Sequence, residues 1–285
     1  MLGKVMLGDW FNRGFGPKIG GVMPVIDAHV HIYPEKIASR AVDSVKEFYR
    51  IPMANSAGTL DELFSVCEGS PISHFLLLPV AAKASNVEAT NTFIAQKVAE
   101  NESCFGMMCI HQDYETLEAE VARAKSLGLR GIKIHPDMQR CAIDDERFMR
   151  MYEVAQAQGM PIVIHTGDFR TDFSHPRLVK RILHAFPDLT VCAAHFGAWS
   201  LFDIGADWLR DEERCFVDTS SAIGFVGVRH ARELINMYGL NRVMFGSDYP
   251  MWSPVAELDY IDQMRFTPRE YEAITWENAM TFLGL

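Results

Sequence analysis

The sequence is poor in the features that mark disulfide-stabilised proteins. It has six cysteines among 285 residues, and no two of them form a CxxC pair. Three of the six lie in the apolar runs 104–110 and 191–195, where a cysteine serves as a small buried apolar residue. This placement is typical of a reducing compartment and argues against a fold that depends on disulfide bonds.

Positive charge is also in short supply. The chain has 27 Lys and Arg residues against 37 Asp and Glu residues, which gives a formal net charge of −10. Phosphate groups attract basic protein surfaces, so this balance argues against a nucleic-acid partner and against binding to an anionic membrane. It leaves open a small anionic substrate, because a site can be locally positive. We therefore expect a small-molecule substrate.

Long uncharged apolar runs are absent as well. Crossing a bilayer takes about 20 consecutive apolar residues, and no stretch of the sequence approaches this length. Lys4, Asp9 and Arg13 interrupt the apolar N-terminus, which shows no signal-peptide pattern. With 48% hydrophobic and 22% charged residues, the composition is that of an ordinary globular protein. We expect a cytoplasmic location.

What the sequence does contain is a series of short apolar segments, most of them bounded by Gly, Pro or Asp. Nearly continuous apolar runs of this length are typical of parallel strands that are buried on both faces. The predicted strands lie at 22–32, 72–80, 104–111, 129–136, 161–167, 189–197, 215–221 and 242–250.

Amphipathic segments with helical spacing separate most of these strands. They lie at 35–50, 59–69, 87–101, 117–128, 145–159, 177–187 and 228–239. Eight strands that alternate with helices over about 250 residues predict a single-domain α/β fold, the (β/α)₈ TIM barrel, over residues 22–285. Residues 1–21 would then form an N-terminal extension. A doubly wound open sheet is the main competitor, but the Gly-rich phosphate loop that it would need after the first strand is absent.

The first connection, residues 33–71, is unusually long and contains two predicted helices. Long loops at the carboxyl ends of barrel strands tend to cover the active site. We therefore expect this segment to lie over the mouth of the barrel.

Polar residues terminate several of the apolar runs. The first run ends in Asp27-Ala28-His29-Val30-His31, and strand alternation predicts that Asp27, His29 and His31 share one face. His165, His195 and Asp248 end the fifth, sixth and eighth strands. Catalytic residues of barrel enzymes come from such strand ends, and imidazoles with a carboxylate can bind a divalent metal.

This pattern of residues resembles the amidohydrolase superfamily. The finer resemblance is to its amidohydrolase-related branch, which also holds the aminocarboxymuconate semialdehyde decarboxylase-like enzymes. It runs from about residue 24 to the C-terminus and is carried by segments 25–38, 131–148, 160–168, 186–197, 243–254 and 277–285.

The resemblance implies a role for each of these residues. His29, His31, His165 and Asp248 would hold a divalent metal, with zinc expected and manganese as the alternative. Asp248 would also accept the proton of a metal-activated water. His195 would orient or polarise the substrate or protonate a leaving group, and in a binuclear version it would bind the second metal.

The fourth strand bears on the number of metals. Lys133 and His135 share one of its faces. Lys133 could be carboxylated and bridge two metals, could stay cationic and hold a substrate carboxylate, or could pair with Asp27 or another carboxylate inside the barrel. The lack of Glu on this strand weakens the resemblance to TatD-like nucleases.

Further residues near the strand ends are predicted to contact the substrate. Tyr33 and Arg170 follow the first and fifth strands, and Trp199 follows the sixth. Together with Lys133 and His135, they form the predicted substrate-binding set, in which Arg170 could bind a carboxylate bidentately. Asp218, at the end of the seventh strand, could hydrogen-bond a ligand histidine or cap the next helix.

Three functions remain open from the sequence. The first is hydrolysis of an amide, ester or lactone bond of a small carboxylated substrate by a metal-activated water. The second keeps the site but performs non-oxidative decarboxylation, with Asp248 delivering a proton to carbon. The third is a non-catalytic metal-binding barrel. By analogy with other barrel enzymes, we also expect a homodimer.

Overall fold

Short parallel strands form the centre of the fold. The computed structural model describes residues 23–285, so the predicted extension at 1–21 lies outside the described residues. Within them the strands are β1 (Val25–Val30), β2 (Ile72–Leu77), β3 (Cys104–Gly106), β4 (Met108–Cys109), β5 (Ile132–Ile134), β6 (Ile162–Ile164), β7 (Val191–Ala193), β8 (Cys215–Asp218) and β9 (Val243–Met244).

These strands close into a barrel. They form two parallel sheets in the orders β1-β2-β3 and β4-β5-β6-β7-β8-β9. Met107 joins the sheets, because its N–H donates to the carbonyl of Leu77 at 3.0 Å. At the other seam the N–H of Ala28 donates to the carbonyl of Phe245 at 2.9 Å, and Val30 bridges to Tyr249. Each of the eight predicted segments contributes to the barrel, the third as both β3 and β4, so the TIM-barrel prediction is confirmed.

Helices surround the strands, and all seven predicted helical segments are present. The helices are α1 (Glu35–Tyr49), α2 (Leu60–Cys67), α3 (Val87–Glu100), α4 (Leu117–Ser126), α5 (Pro136–Gln139), α6 (Glu146–Gln158), α7 (Pro176–Ala185), α8 (Phe202–Leu209), α9 (Ile223–Val226), α10 (Val228–Tyr238), α11 (Pro254–Gln263), α12 (Pro268–Glu272) and α13 (Asn278–Phe282). Single turns of 3₁₀ and π helix lie at Ala84–Asn86 and Ala273–Glu277. None of the helices in the described part of the chain is long and apolar enough to span a bilayer.

Local sequence signals explain where these helices begin and end. The side chain of Asp145 accepts the N–H of Arg147 at the start of α6, and Gly159 ends that helix in the left-handed conformation. Thr267 and Glu270 form a capping box at α12.

The core has two apolar layers. The inner layer fills the barrel and consists of Ile26, Ala28, Leu76, Leu78, Met107, Val163, Cys192, Ala194, Phe216 and Met244, with residues from the C-terminal helix packed against it. A larger layer lies between the strands and the surrounding helices. All six cysteines are buried and free, which agrees with the prediction that they serve as small apolar residues.

A register shift lies within β1. Asp27 pairs with Phe75 and Val30 with Leu77, so three steps along β1 match two along β2. Ile26 and Ala28 belong to the apolar layer inside the barrel, and Oδ1 of Asp27 accepts the backbone N–H of His29 at 3.2 Å. Strict alternation is therefore interrupted within β1, and the shared face of Asp27, His29 and His31 stays a prediction.

Candidate active site

The carboxyl ends of β1 and β9 bring two imidazoles and a carboxylate together. Single ligand atoms of His29, His31 and Asp248 all lie within 4.8 Å of one another. Nε2 of His29 is 3.6 Å from Oδ1 of Asp248, and Nε2 of His31 is 3.2 Å from the same oxygen. The three residues that the sequence placed on the first and last strands therefore form one group.

Hydrogen bonds on the far side of each imidazole orient this group. Nδ1 of His29 donates to Oδ2 of Asp218 at 2.8 Å, and Nδ1 of His31 donates to the carbonyl of Leu78. A neutral imidazole with its proton on Nδ1 presents the lone pair of Nε2. Nε2 of His29 is buried and has no hydrogen-bond partner within residues 23–285. Two imidazole nitrogens and one carboxylate oxygen are a donor set that fits zinc or manganese.

Asp248 is held in a fixed orientation from its other side. Its backbone has φ 63°, in the left-handed region. The hydroxyl of Ser221 donates to Oδ2 of Asp248 at 2.5 Å, and Nε1–H of Trp252 donates to that hydroxyl at 2.7 Å. Oδ1 is thereby left to face the imidazoles. Burial opposes ionisation, but the contact with His31 and the nearby His29 hold the pKa of Asp248 well below its usual value.

His165, predicted as a metal ligand, lies in a neighbouring group. With one ligand atom from each residue, His165 forms a group within 4.8 Å together with His135 and Asp137. Its ring stacks on that of His135 with 3.9 Å between the centroids, and its Nδ1 lies 3.0 Å from Nε2 of His195. The structure does not bring His165 into the group of His29, His31 and Asp248. Its role as a ligand stays a prediction.

His195 lies between the two groups. Nδ1 of His195 donates to the carbonyl of Ser220 at 3.0 Å, and its backbone N–H donates to Oδ1 of Asp218, also at 3.0 Å. Its ring centroid is 5.0 Å from that of His29. Asp218 therefore orients the imidazole of His29 and holds the backbone of His195, and its bond to His29 agrees with the expectation that it hydrogen-bonds a predicted ligand histidine.

Burial keeps His29, His135 and His165 neutral. It lowers the pKa of His29 to about 4, with the charge of Lys133 adding to the effect. The pKa values of His135 and His165 are also lowered far below the usual value, mainly by burial. Neutral imidazoles at pH 7 are the form that binds a metal.

Lys133 lies in the floor of the site on β5. Its side chain is buried, and Nζ has no hydrogen-bond partner in the described chain. The predicted pairing with Asp27 is therefore wrong, and Asp27 instead accepts the backbone N–H of Ser247 at 2.9 Å. Burial lowers the pKa of Lys133 to about 8, while Asp218 and Asp248 oppose this shift. The amine stays cationic at pH 7.

Arg170 forms the bidentate carboxylate pair that the sequence suggested, but with a residue of this chain. Nη2 and Nε of Arg170 donate to Asp168 at 2.6 and 2.8 Å. Nη1 donates to the carbonyl of Phe48 at 2.7 Å. The guanidinium thus joins the loop after β6 to the end of α1, and its role toward a substrate carboxylate stays a prediction.

The other predicted substrate residues lie at the mouth. Trp199 is buried, and its ring centroid is 5.2 Å from that of Tyr49. Tyr33 lies close enough to Asp248 for the carboxylate charge to raise its pKa, although burial is the larger cause.

Tyr49, Ser220 and Ser221 are site residues that the sequence analysis missed. The hydroxyl of Tyr49 lies 2.7 Å from Nε2 of His135. The signal for Tyr49 was its position in the long first connection, which was expected to cover the mouth. For the two serines the signal was their position two and three residues after Asp218, at a strand end.

Comparisons with known proteins agree with this fold. A family model described as Amidohydrolase matches residues 26–285. No match was found among curated proteins.

Several solved structures resemble the fold, all at low identity. An uncharacterised TIM-barrel protein from Bordetella bronchiseptica has a TM-score of 0.74 and 19% identity, covering 92% of this chain and 99% of its own. A manganese-bound 5-carboxyvanillate decarboxylase from Novosphingobium aromaticivorans has a TM-score of 0.72 and 16% identity, and the match covers 95% of this chain and 98% of that one. A probable 2-pyrone-4,6-dicarboxylic acid hydrolase from Acinetobacter baumannii with bound citric acid has a TM-score of 0.68 and 16% identity, and the match covers 92% of this chain and 100% of that one.

The family match covers nearly the whole described chain, and it spans the strand ends that carry the histidines and Asp248. The chain therefore belongs to the amidohydrolase family of (β/α)₈-barrel enzymes.

Proposed function

We propose that this protein is a divalent-metal-dependent hydrolase that acts on an amide, ester or lactone bond of a small carboxylated substrate. The observation that carries the proposal is the buried, unpartnered Nε2 of His29 beside Nε2 of His31 and Oδ1 of Asp248. His29, His31 and Asp248 would hold the metal, with His165 as the further ligand expected from the family resemblance. When bound, the metal supplies a Lewis acid and lowers the pKa of a water molecule.

Asp248 is the proposed general base. Ser221 fixes Oδ2, so Oδ1 is the oxygen that faces the imidazoles and can accept a proton. His195 is proposed to orient the substrate and to pass a proton to the leaving group. Its Nε2 accepts a hydrogen bond from Nδ1 of His165, which fixes the orientation of the His195 ring.

Lys133 is the proposed anchor for a substrate carboxylate. Its buried amine is cationic at pH 7 and unpaired within residues 23–285, so an incoming anion would supply the partner that the fold does not. His135, Tyr33 and Trp199 are proposed to line the same pocket. Arg170 remains a candidate for binding the substrate carboxylate. Its guanidinium would then have to bind that carboxylate and Asp168 at the same time.

Decarboxylation of a small aromatic acid is the second candidate. The observation that favours it is the aromatic wall of the mouth, where Phe225 lies 6.4 Å from Trp199 and 5.7 Å from Trp252 between ring centroids. Such walls fit planar rings. One of the similar structures is named a 5-carboxyvanillate decarboxylase. Here Asp248 would deliver a proton to the carbon that loses carbon dioxide.

Metal content is the first test. We expect the purified protein to bind about one equivalent of Zn²⁺ or Mn²⁺, or about two if Lys133 is carboxylated and bridges. Zinc is our first proposal, although manganese is named in the decarboxylase structure from Novosphingobium aromaticivorans. A protein that stays metal-free when both ions are supplied would overturn both enzymatic candidates.

A substrate panel separates the two reactions. The metal-loaded protein is incubated with carboxylated lactones, amides and hydroxybenzoic acids that carry a ¹³C-labelled carboxyl group, in H₂¹⁸O. Hydrolysis incorporates ¹⁸O into the product, whereas decarboxylation releases ¹³CO₂ and incorporates no ¹⁸O at the ring. Asp248→Asn should abolish either activity. If the metal-loaded protein turns over none of the panel, the non-catalytic metal-binding barrel is favoured instead.

Assembly and location are also proposed. A homodimer is proposed by analogy with other barrel enzymes, and light scattering on the purified protein would test it. A cytoplasmic location is proposed from the buried free cysteines, and cell fractionation would test it.

A further inference from the structure

Tyr49 links the first connection to the histidines of the barrel. It is the last residue of α1, and its hydroxyl lies 2.7 Å from Nε2 of His135 and 3.5 Å from Nε2 of His165. Its ring packs against that of Trp199. None of the roles derived above from the metal group or from Lys133 uses this hydroxyl.

The direction of the first of these hydrogen bonds is fixed by the backbone. Nδ1 of His135 lies 3.3 Å from the backbone N–H of Met138, which can only donate. Nδ1 of His135 therefore accepts, and the proton of the neutral imidazole is on Nε2. That proton is donated to the oxygen of Tyr49, so the proton of Tyr49 itself must point away from His135.

The opposite end of the chain of hydrogen bonds is fixed in the same way. The carbonyl of Ser220 can only accept, so Nδ1 of His195 donates to it and Nε2 of His195 accepts from Nδ1 of His165. Nε2 of His165 is left with a lone pair that faces Tyr49 at 3.5 Å. This distance is too long for a strong O–H···N hydrogen bond. The hydroxyl of Tyr49 therefore donates in a direction that points away from His135, and the acceptor there, Nε2 of His165, is bound only weakly.

We propose that Tyr49 donates its hydrogen bond to an oxygen of the bound substrate, a carboxylate or carbonyl oxygen, at the mouth of the barrel. This proposal rests on the proposed function, because it concerns a substrate of the same site. The chemical class it selects is a small acid or acyl compound with an oxygen that approaches between His135 and His165. His135 is then a positioning residue, since it occupies the lone pair of Tyr49 and leaves only the proton for the substrate.

Arg170 and Asp168 hold Tyr49 in place. The guanidinium carbon of Arg170 lies 5.6 Å from the centre of the Tyr49 ring, and Nη1 binds the carbonyl of the preceding residue, Phe48. Asp168 fixes the guanidinium with three hydrogen bonds of 2.6 to 3.1 Å. The pair positions the end of α1, so that the Tyr49 hydroxyl meets the imidazoles.

Tyr49→Phe tests the proposal, because it removes the hydroxyl and keeps the ring beside Trp199. Tyr114→Phe is the matched control, since Tyr114 donates to Glu88 in an exposed pair. With a substrate from the panel, Tyr49→Phe should lower kcat/KM about 10- to 100-fold, the range for a lost hydrogen bond to a charged oxygen. Tyr114→Phe should leave it unchanged. An unchanged kcat/KM in Tyr49→Phe would overturn the proposal.

Two measurements do not depend on turnover. In ¹⁵N-histidine NMR spectra of the metal-free protein, His135 should be protonated on Nε2, and His165 and His195 on Nδ1. In Tyr49→Phe the Nε2–H of His135 should exchange faster with water. Titration with benzoate as a probe carboxylate should give weaker binding in Tyr49→Phe than in wild type and Tyr114→Phe. Protonation of His135 on Nδ1, or equal benzoate affinity in all three proteins, would overturn the proposal even if no substrate is found.

Discussion

Nδ1 of His29 donates a hydrogen bond to Oδ2 of Asp218 at 2.8 Å, with both side chains buried. Burial opposes ionisation of Asp218, but the contact with His29 holds the pKa of this carboxyl far below its usual value. Asp218 is therefore ionised and accepts. This contact keeps the proton of His29 on Nδ1 and leaves Nε2 free toward His31 and Asp248. A residue from β8 thus determines which nitrogen of a β1 residue is available to a metal.

The first prediction concerns this contact. Asp218→Asn should weaken metal binding about 10- to 100-fold, as is typical when the partner of a ligand histidine is changed. An amide side chain can donate to Nδ1 and would then favour the proton on Nε2 of His29. Competition with a fluorescent chelator measures the affinity for Zn²⁺ and Mn²⁺. Asp207→Asn, on the exposed side of α8, is the control, and an affinity that drops equally in both variants would contradict the prediction.

A second prediction concerns the other side of the group. Ser221→Ala removes the donor that fixes Oδ2 of Asp248 and leaves Nε1–H of Trp252 without its acceptor. The carboxylate can then rotate, and we expect metal affinity or kcat to fall about 10-fold or more. Ser126→Ala, at the exposed end of α4, controls for the loss of a serine hydroxyl. The prediction is contradicted if Ser221→Ala binds metal and turns over substrate as the wild type does.

The sequence predicted the barrel well because its signals are local. Each strand is an apolar run with a clear boundary, and helices such as α6 carry their own cap and stop residues at Asp145 and Gly159. The strand ends were predicted for the same reason, since a polar residue that closes an apolar run marks the mouth. This reasoning found His29, His31 and Asp248, which the structure brings together.

Contacts that depend on local backbone shape or on distant segments were not predictable. No residue pattern predicted the register shift within β1. Tyr49 contacts His135, which is 86 residues away in the sequence, and Arg170 contacts Phe48, which is 122 residues away. Such pairings follow from how α1 lies over the barrel, which periodicity does not encode. Arg170 shows the consequence, because the sequence predicted its bidentate chemistry but not Asp168 as its partner.

The third prediction follows from that partnership. Arg170→Lys keeps the charge but loses the planar fork that binds Asp168 and the carbonyl of Phe48. The end of α1 should therefore open more often. We expect amide hydrogen exchange to increase in residues 46–50 while the rest of α1 and the barrel strands keep their protection.

Arg147→Lys is a suitable control for Arg170→Lys. Arg147 also pairs with a nearby carboxylate, that of Asp145, but at the start of α6 and on the surface. Arg147→Lys should leave amide hydrogen exchange in α1 unchanged. If Arg170→Lys does not alter exchange at the end of α1 either, the guanidinium does not anchor that helix.

The last prediction concerns the buried carboxyl of Glu257, which faces inward from α11. Oε2 of Glu257 has no hydrogen-bond partner in the described residues, and burial raises the pKa from 4.5 to about 8, with Asp27 and Asp248 adding repulsion. Between pH 4.5 and 8 the folded chain therefore binds more protons here than the unfolded chain. The stabilising contribution is complete below pH 4.5 and is lost as the pH rises through 8. A difference of one full proton changes the free energy of unfolding by about 1.4 kcal/mol per pH unit.

The glutamine in Glu257→Gln cannot ionise. The variant should therefore not show the fall in the free energy of unfolding that ionisation of Glu257 causes as the pH rises. Urea unfolding at pH 5, 7 and 9 should show wild type losing stability relative to the variant as the pH rises, so that Glu257→Gln is the more stable protein at pH 9. Glu213→Gln, an exposed change between α8 and β8, should follow the wild-type pH dependence. Parallel stability curves for wild type and Glu257→Gln would mean that the folded protein does not hold this carboxyl in its neutral form. Subtracting each variant's curve from that of wild type removes the contributions of all other groups, Asp27 excepted, because its own raised pKa is coupled to the charge on Glu257.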